Sequence, residues 1–104
     1  MLKVYGSPLC GDCVELKKNF DFYGIEYEFI DINESIANLK AFLKMRDNSP
    51  VFNHSKEVGE IGIPTCVSEN NEVFLNWQGY LNVKGLEVIN DDTKTSCSIN
   101  GKGC

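Results

Sequence analysis

Residues 25–32, I-E-Y-E-F-I-D-I, alternate apolar and acidic side chains along most of their length. A period of two belongs to a strand with one covered face. The stretch lies between two of helical period: Cys13, Leu16, Phe20 and Tyr23 before it, and Ile36, Leu39, Phe42 and Leu43 after it. Leu2-Lys3-Val4-Tyr5 alternates as well and is closed by Gly6-Ser7-Pro8, so the first helix is flanked by strands. Two strands joined through a helix pair in parallel by a right-handed crossover. Farther on, Ile63-Pro64-Thr65-Cys66-Val67 and Val73-Phe74-Leu75 flank Glu69-Asn70-Asn71-Glu72, a hairpin signal.

The element order reads β-α-β-α-β-β-α, an α/β fold with a four-stranded mixed sheet flanked by three helices. Gly24 stands where a helix would place its left-handed closing residue, and Asn33 can cap the second helix. Residues 47–62 lack a clean period and contain Pro50, Gly59 and Gly62, so they read as loop with at most one short helical turn. Leu81, Val83, Leu86 and Ile89 space a final helix, weakened by Gly85 inside it. Residues 1–90 therefore form one domain, and 91–104 read as a polar, flexible tail carrying two cysteines.

Net charge is −5, and neither Lys nor Arg is clustered, which speaks against nucleic acid or an anionic membrane as partner. No apolar stretch has the length of a membrane span, and the start is too short in apolar residues for a signal peptide. A cytoplasmic monomer is expected. In a reducing cytosol, five cysteines point to metal or redox chemistry rather than to a disulfide framework.

Cys10-Gly11-Asp12-Cys13 falls where the first strand passes into the first helix. A sulfur there meets unsatisfied backbone N–H groups and the positive end of the helix dipole, both of which favour a thiolate. The thiolate attacks disulfides, so Cys10, the outer sulfur, is the candidate nucleophile. Cys13 lies one turn inward on the same face and is the candidate resolving thiol. The alternative is a non-enzymatic zinc or iron–sulfur site. Zinc needs about four ligands, and the other candidates, Cys97 and Cys104, are separated by six residues. His54, the only histidine, lies in the irregular region. No metal and no tightly bound cofactor is expected.

Three stretches together resemble the glutaredoxin and thioredoxin families: S-P-L-C-G-D-C-V before a helix, G-I-E-Y-E-F-I-D-I as second strand, and I-P-T opening the third. The likeness runs through residue 90, leaves the tail out, and is strongest to short bacterial glutaredoxin-related proteins. It implies a thioredoxin-like fold and thiol–disulfide oxidoreductase activity. It also implies that Pro64 is cis and packs against the cysteine pair, and that Ile63, Pro64 and Thr65 bind substrate, with the Ile63 backbone pairing like an added strand.

Departures from glutaredoxins bear on substrate. Those proteins carry a lysine three residues before the first cysteine, an aromatic residue before the second and an acidic pair opening the last helix. Here those places hold Ser7, Asp12 and the stretch Asn76-Trp77-Gln78-Gly79-Tyr80-Leu81-Asn82. Lys3 and Arg46 are the cations left to compensate. Disulfide-containing proteins are therefore the expected substrates ahead of glutathione mixed disulfides, with glutathione or a thioredoxin-reductase-type donor as reductant. Cys66 reads as a small buried hydrophobe, Trp77 as packing or as a groove wall. Cys97 and Cys104 are candidates for an auxiliary dithiol exchanging with the first pair.

Overall fold

The computed structural model describes residues 1–89. Cys97 and Cys104, and the tail reading as a whole, lie outside the described residues. The elements run β1 (Leu2–Gly6), α1 (Gly11–Phe22), β2 (Tyr27–Asp31), α2 (Ile36–Asn48), a 3₁₀ turn (Pro50–Phe52), α3 (Asn53–Val58), β3 (Thr65–Val67), β4 (Val73–Phe74) and α4 (Trp77–Val83). The sheet is four-stranded and mixed, in the order β2-β1-β3-β4. β1 pairs with β2 in parallel, Val4 opposite Phe29, and with β3 antiparallel, Val4 opposite Cys66. β3 and β4 are antiparallel, with Cys66 opposite Phe74.

Alternation along β1 distributes its side chains to two cores. Leu2 and Val4 join Leu16 and Phe20 of α1, Cys66 of β3, and Trp77 and Leu81 of α4. Phe20 meets Trp77 edge-on, with centroids 6.3 Å apart. Tyr5 belongs to the other core, which gathers Cys10, Cys13, Ile32, Phe42, Phe52 and Ile63. Both candidate cysteines thus belong to this second core.

Several boundaries depart from the sequence reading, each for a local reason. β2 begins at Tyr27 rather than Ile25, because Ile25 N–H returns to the carbonyl of Phe20 at 2.9 Å. That bond, with Gly24 at φ +67°, closes α1 as a Schellman motif and withholds Ile25 from the strand. The cap of α2 is Ser35, whose Oγ accepts the Asn38 N–H at 3.1 Å, and not Asn33. Asn33 is held in a turn, donating its N–H to Asp31 Oδ1 at 2.8 Å. On α2, Phe42 is buried and Leu39 and Met45 pack beside it, while Ile36 is 68 % and Leu43 39 % exposed.

Residues 47–62 are more helical than expected. Pro50 starts a 3₁₀ turn, α3 follows directly, and Gly59 in the left-handed conformation ends it. The described residues therefore hold four α-helices rather than three. α4 starts earlier than the spacing indicates, at Trp77 after an Asn76 cap that accepts Gly79 N–H at 2.9 Å. It ends at Val83, where Leu86 N–H bonds the carbonyl of Leu81 at 2.9 Å. Gly85 is therefore a terminator, and Leu86 and Ile89 lie beyond the helix.

Gly62 combines a φ of +96° with a close approach, since a Cβ there would lie 2.9 Å from the Phe52 ring. At Gly24 a Cβ would meet nothing within 4 Å. Gly24→Ala is expected to cost only the backbone penalty of about 1–2 kcal/mol. Gly62→Ala adds overpacking and should cost about 2–4 kcal/mol. Urea unfolding midpoints compare the two, and equal losses would show that Phe52 gives way freely.

Candidate active site

The loop from β1 to α1 is set by its own short bonds. Cys10 N–H donates to the carbonyl of Ser7 at 3.1 Å, a turn whose second residue is Pro8, and Leu9 N–H donates to Ser7 Oγ at 3.1 Å. Cys10 is left with extended φ and ψ as the N-cap of α1. Its sulfur accepts the backbone N–H of Cys13 at 3.4 Å. A capping side chain bonds the N–H three residues on, so the two-residue spacer between the cysteines is also the spacing of a helix cap. Sulfur here occupies the place usually held by a serine or aspartate oxygen.

Cys13 is fully buried, and its sulfur accepts the Ser7 N–H at 3.5 Å. Gly6 makes this possible, for a Cβ on it would lie 2.7 Å from the Cys13 sulfur. Cys10 is 4 % exposed, so it is not the surface sulfur expected from the sequence; both thiols are covered. It opens instead into a cavity of about 340 Å³ lined by Ser7, Leu9, Cys10, Ile32, Asn33, Ile61 and Ile63. Two larger hollows, about 520 and 560 Å³, are lined by Met1 and Glu69 among others and have no thiol in their walls.

The pair is polarised. A hydrogen bond from the Cys13 thiol holds Cys10 below the ordinary thiol range; burial works against this, and the backbone N–H groups of Cys13 and Asp12 assist it. The Asp12 carboxylate pushes the other way. Cys13 is driven far above the ordinary range, first by donating that same hydrogen bond and then by burial. The two sulfurs are thus shifted in opposite directions, Cys10 toward giving up its proton and Cys13 toward keeping it. Cys66, fully buried in the other core, is pushed up to about 12 by burial alone, as befits an inert packing residue.

Of the residues implied by the resemblance, Ile63 is in the cavity wall, 6 % exposed. The Ile63–Pro64 peptide is cis. Pro64 and Thr65 are buried but do not line the cavity, and Thr65 Oγ1 donates to the carbonyl of Gly62 at 2.5 Å. Lys3 is not in that wall either, and Arg46 directs its guanidinium to the carbonyls of Glu60 and Ile61. Trp77, at 2 % exposure, is packing. His54 is exposed on α3. Sequence reasoning missed Leu9, Ile32, Asn33 and Ile61 as lining residues; an apolar Leu9 inside a polar loop was the available signal.

Among the described residues, no cluster of three or more His, Cys, Asp or Glu side chains could hold a metal ion, and no helix is long and apolar enough to cross a membrane. No protein-family model and no solved structure matches the chain. A Haemophilus influenzae protein described as an uncharacterized protein is 36 % identical over 73 residues, covering 70 % of this chain and 85 % of that one. The chain belongs to that protein's family.

Removing the Asp12 charge tests the polarisation. Asp12→Asn should lower the pH midpoint of Cys10 alkylation by iodoacetamide, because a carboxylate that opposes the thiolate is gone. An unchanged or higher midpoint would mean that Asp12 does not act on Cys10 through its charge.

Proposed function

We propose that the chain is a thiol–disulfide oxidoreductase of the glutaredoxin-like class, with Cys10 as nucleophile and Cys13 as resolving thiol. The observation that carries this reading is two cysteines joined across a helix cap, with the Cys13 N–H on the Cys10 sulfur and Cys10 lining a cavity; the opposite directions of their proton affinities agree with it. What supports a thioredoxin-like architecture is the parallel β1–β2 pair, the antiparallel β3–β4 extension and the placement of the cysteines directly after β1.

In the reaction, the Cys10 thiolate attacks one sulfur of a substrate disulfide. The other substrate sulfur leaves as a thiolate and takes a proton from water, and Cys10 is joined to substrate in a mixed disulfide. At that point Cys10 has lost its negative charge, and the hydrogen bond that chiefly held the Cys13 proton is gone. Cys13 can then ionise and attack the Cys10 sulfur, releasing the second substrate thiol and leaving a Cys10–Cys13 disulfide. Substrate gains two electrons from the pair and two protons, one from Cys13 and one from water in place of the proton Cys10 gave up on ionising. An external thiol, glutathione or a thioredoxin-reductase-type donor, restores the dithiol. A cytoplasmic setting, where such donors keep thiols reduced, is part of the same proposal.

Polypeptide disulfides suit the site better than glutathione mixed disulfides. Ser7 is buried with its Oγ held by Leu9 N–H, Asp12 adds negative charge, and Arg46 and Lys3 are outside the cavity wall. Charge-assisted contacts contribute about 1.5–3 kcal/mol each, so lacking two weakens glutathione binding by at least a hundredfold. By contrast, no hydrogen bond involves the backbone of Ile63 among the described residues, which leaves an extended peptide something to pair with in the cavity wall.

Serine is a good helix cap, so Cys10→Ser should fold and yet lose disulfide reduction entirely. Cys13→Ser should trap the mixed disulfide with a protein substrate such as insulin, visible as a covalent adduct by mass spectrometry. Insulin reduction by Cys13→Ser at the wild-type rate would contradict the two-thiol mechanism. Asp12→Tyr should speed turnover of a glutathione mixed disulfide by removing repulsion; wild-type turnover as fast as an ordinary glutaredoxin would contradict the substrate assignment.

A further inference from the structure

Three successive carbonyls leading to the cavity are each held by a side chain. Arg46, in the last turn of α2, donates from Nε to the Ile61 carbonyl at 2.8 Å and from Nη2 to the Glu60 carbonyl at 2.7 Å. Thr65 Oγ1 holds the next, that of Gly62. The segment is also pinned behind Arg46, where Glu60 N–H donates to the Ser55 carbonyl at 2.8 Å. Ile61 and Ile63 both line the cavity, while Gly62 between them is pressed against the Phe52 ring. The planar guanidinium fork engages two carbonyls at fixed spacing, which a flexible ammonium cannot do.

In the same cavity wall, Leu9 is 86 % exposed, and Ile61 is 47 % exposed. Cys10 is 4 % exposed and lines this cavity together with these two apolar side chains. A residue flanking a substrate cysteine that enters this cavity has Leu9 and Ile61 as its apolar walls.

We propose that Arg46 is a positioning residue for the substrate groove: by gripping the Glu60 and Ile61 carbonyls it fixes Ile61 and Ile63 in the cavity wall they share with Leu9, and the groove so formed selects polypeptide disulfides with an apolar residue beside the reacting cysteine. The inference rests on the disulfide-reductase reading and deepens it. Arg46 acts on how substrate is held and leaves the reactivity of Cys10, set by Cys13 and the start of α1, unchanged.

The test uses the full chain with dithiothreitol as reductant and two substrates, a peptide disulfide with leucine beside each cysteine and a small aromatic disulfide. In Arg46→Ala, KM for the leucine-flanked peptide should rise about tenfold as the wall loses its fixed position, with kcat nearly unchanged. Turnover of the small disulfide, and the rate and pH midpoint of Cys10 alkylation, should match wild type. Arg46→Lys should recover only part of the KM, and it carries the test if Arg46→Ala does not fold. An unchanged peptide KM in a folded Arg46 variant overturns the proposal, and so does a parallel change in alkylation, which would make Arg46 a general support of the fold. Equal wild-type KM values for leucine-flanked and aspartate-flanked peptides would overturn the apolar selectivity alone. A wild-type protein that reduces neither substrate refutes the reductase reading itself and the inference with it.

Discussion

The 3.4 Å contact between the Cys10 sulfur and the Cys13 N–H does two things at once. As a helix cap it satisfies one of the orphan donors that every helix start presents. As a solvation site for a thiolate it assists the larger effect of the Cys13 thiol's own hydrogen bond in lowering the proton affinity of Cys10. Sulfur is a weak acceptor when neutral and a better one when charged. The cap is therefore strongest when Cys10 is ionised, and the fold of this turn and its chemistry favour the same protonation state.

Much of the surrounding structure can be understood as what this contact requires. Cys13 can sit beneath Cys10 only because Gly6 has no side chain. Gly6 ends the strand that pairs with both β2 and β3. Ser7 N–H, the next donor along the chain, turns inward to the Cys13 sulfur and gives it a partner in an otherwise apolar core. In the same core, Phe42 and Phe52 meet edge-on with centroids 5.9 Å apart. The other core, built on Phe20, Trp77 and Leu81, holds α1 and α4 against the sheet and contains the inert Cys66.

Legibility in the sequence followed the range of the interactions. The cysteine pair was readable because a cap and its third N–H are three residues apart, a purely local relation. The closure of α1 by Gly24 was local too, but the extra bond it entails, Ile25 to Phe20, removed two residues from a strand that alternation alone would have begun at Ile25. Asn33 and Ser35 compete as caps within three residues of each other. Asp31 decides between them by engaging the Asn33 N–H, a choice no propensity encodes. Residues 47–62 carried two readable signals, Pro50 at the start of a 3₁₀ turn and Gly59 at the end of α3. Their apolar residues are too few to show a period over six helical positions. The role of Gly6 and the grip of Arg46 on residues 60 and 61 join segments distant in sequence, so nothing in the residue types announces them.

The central claim is that Cys10 and Cys13 form a reversible redox pair while the remaining described thiol does not take part. Equilibrating the full chain in mixtures of oxidised and reduced dithiothreitol, quenching with an alkylating reagent and mapping every cysteine by mass spectrometry tests it most directly. The account predicts a Cys10–Cys13 disulfide that forms and disappears with the buffer ratio, with Cys66 unoxidised throughout. Cys10 and Cys13 remaining as separate thiols in fully oxidising buffer, or Cys10 pairing with another cysteine ahead of Cys13, would contradict it.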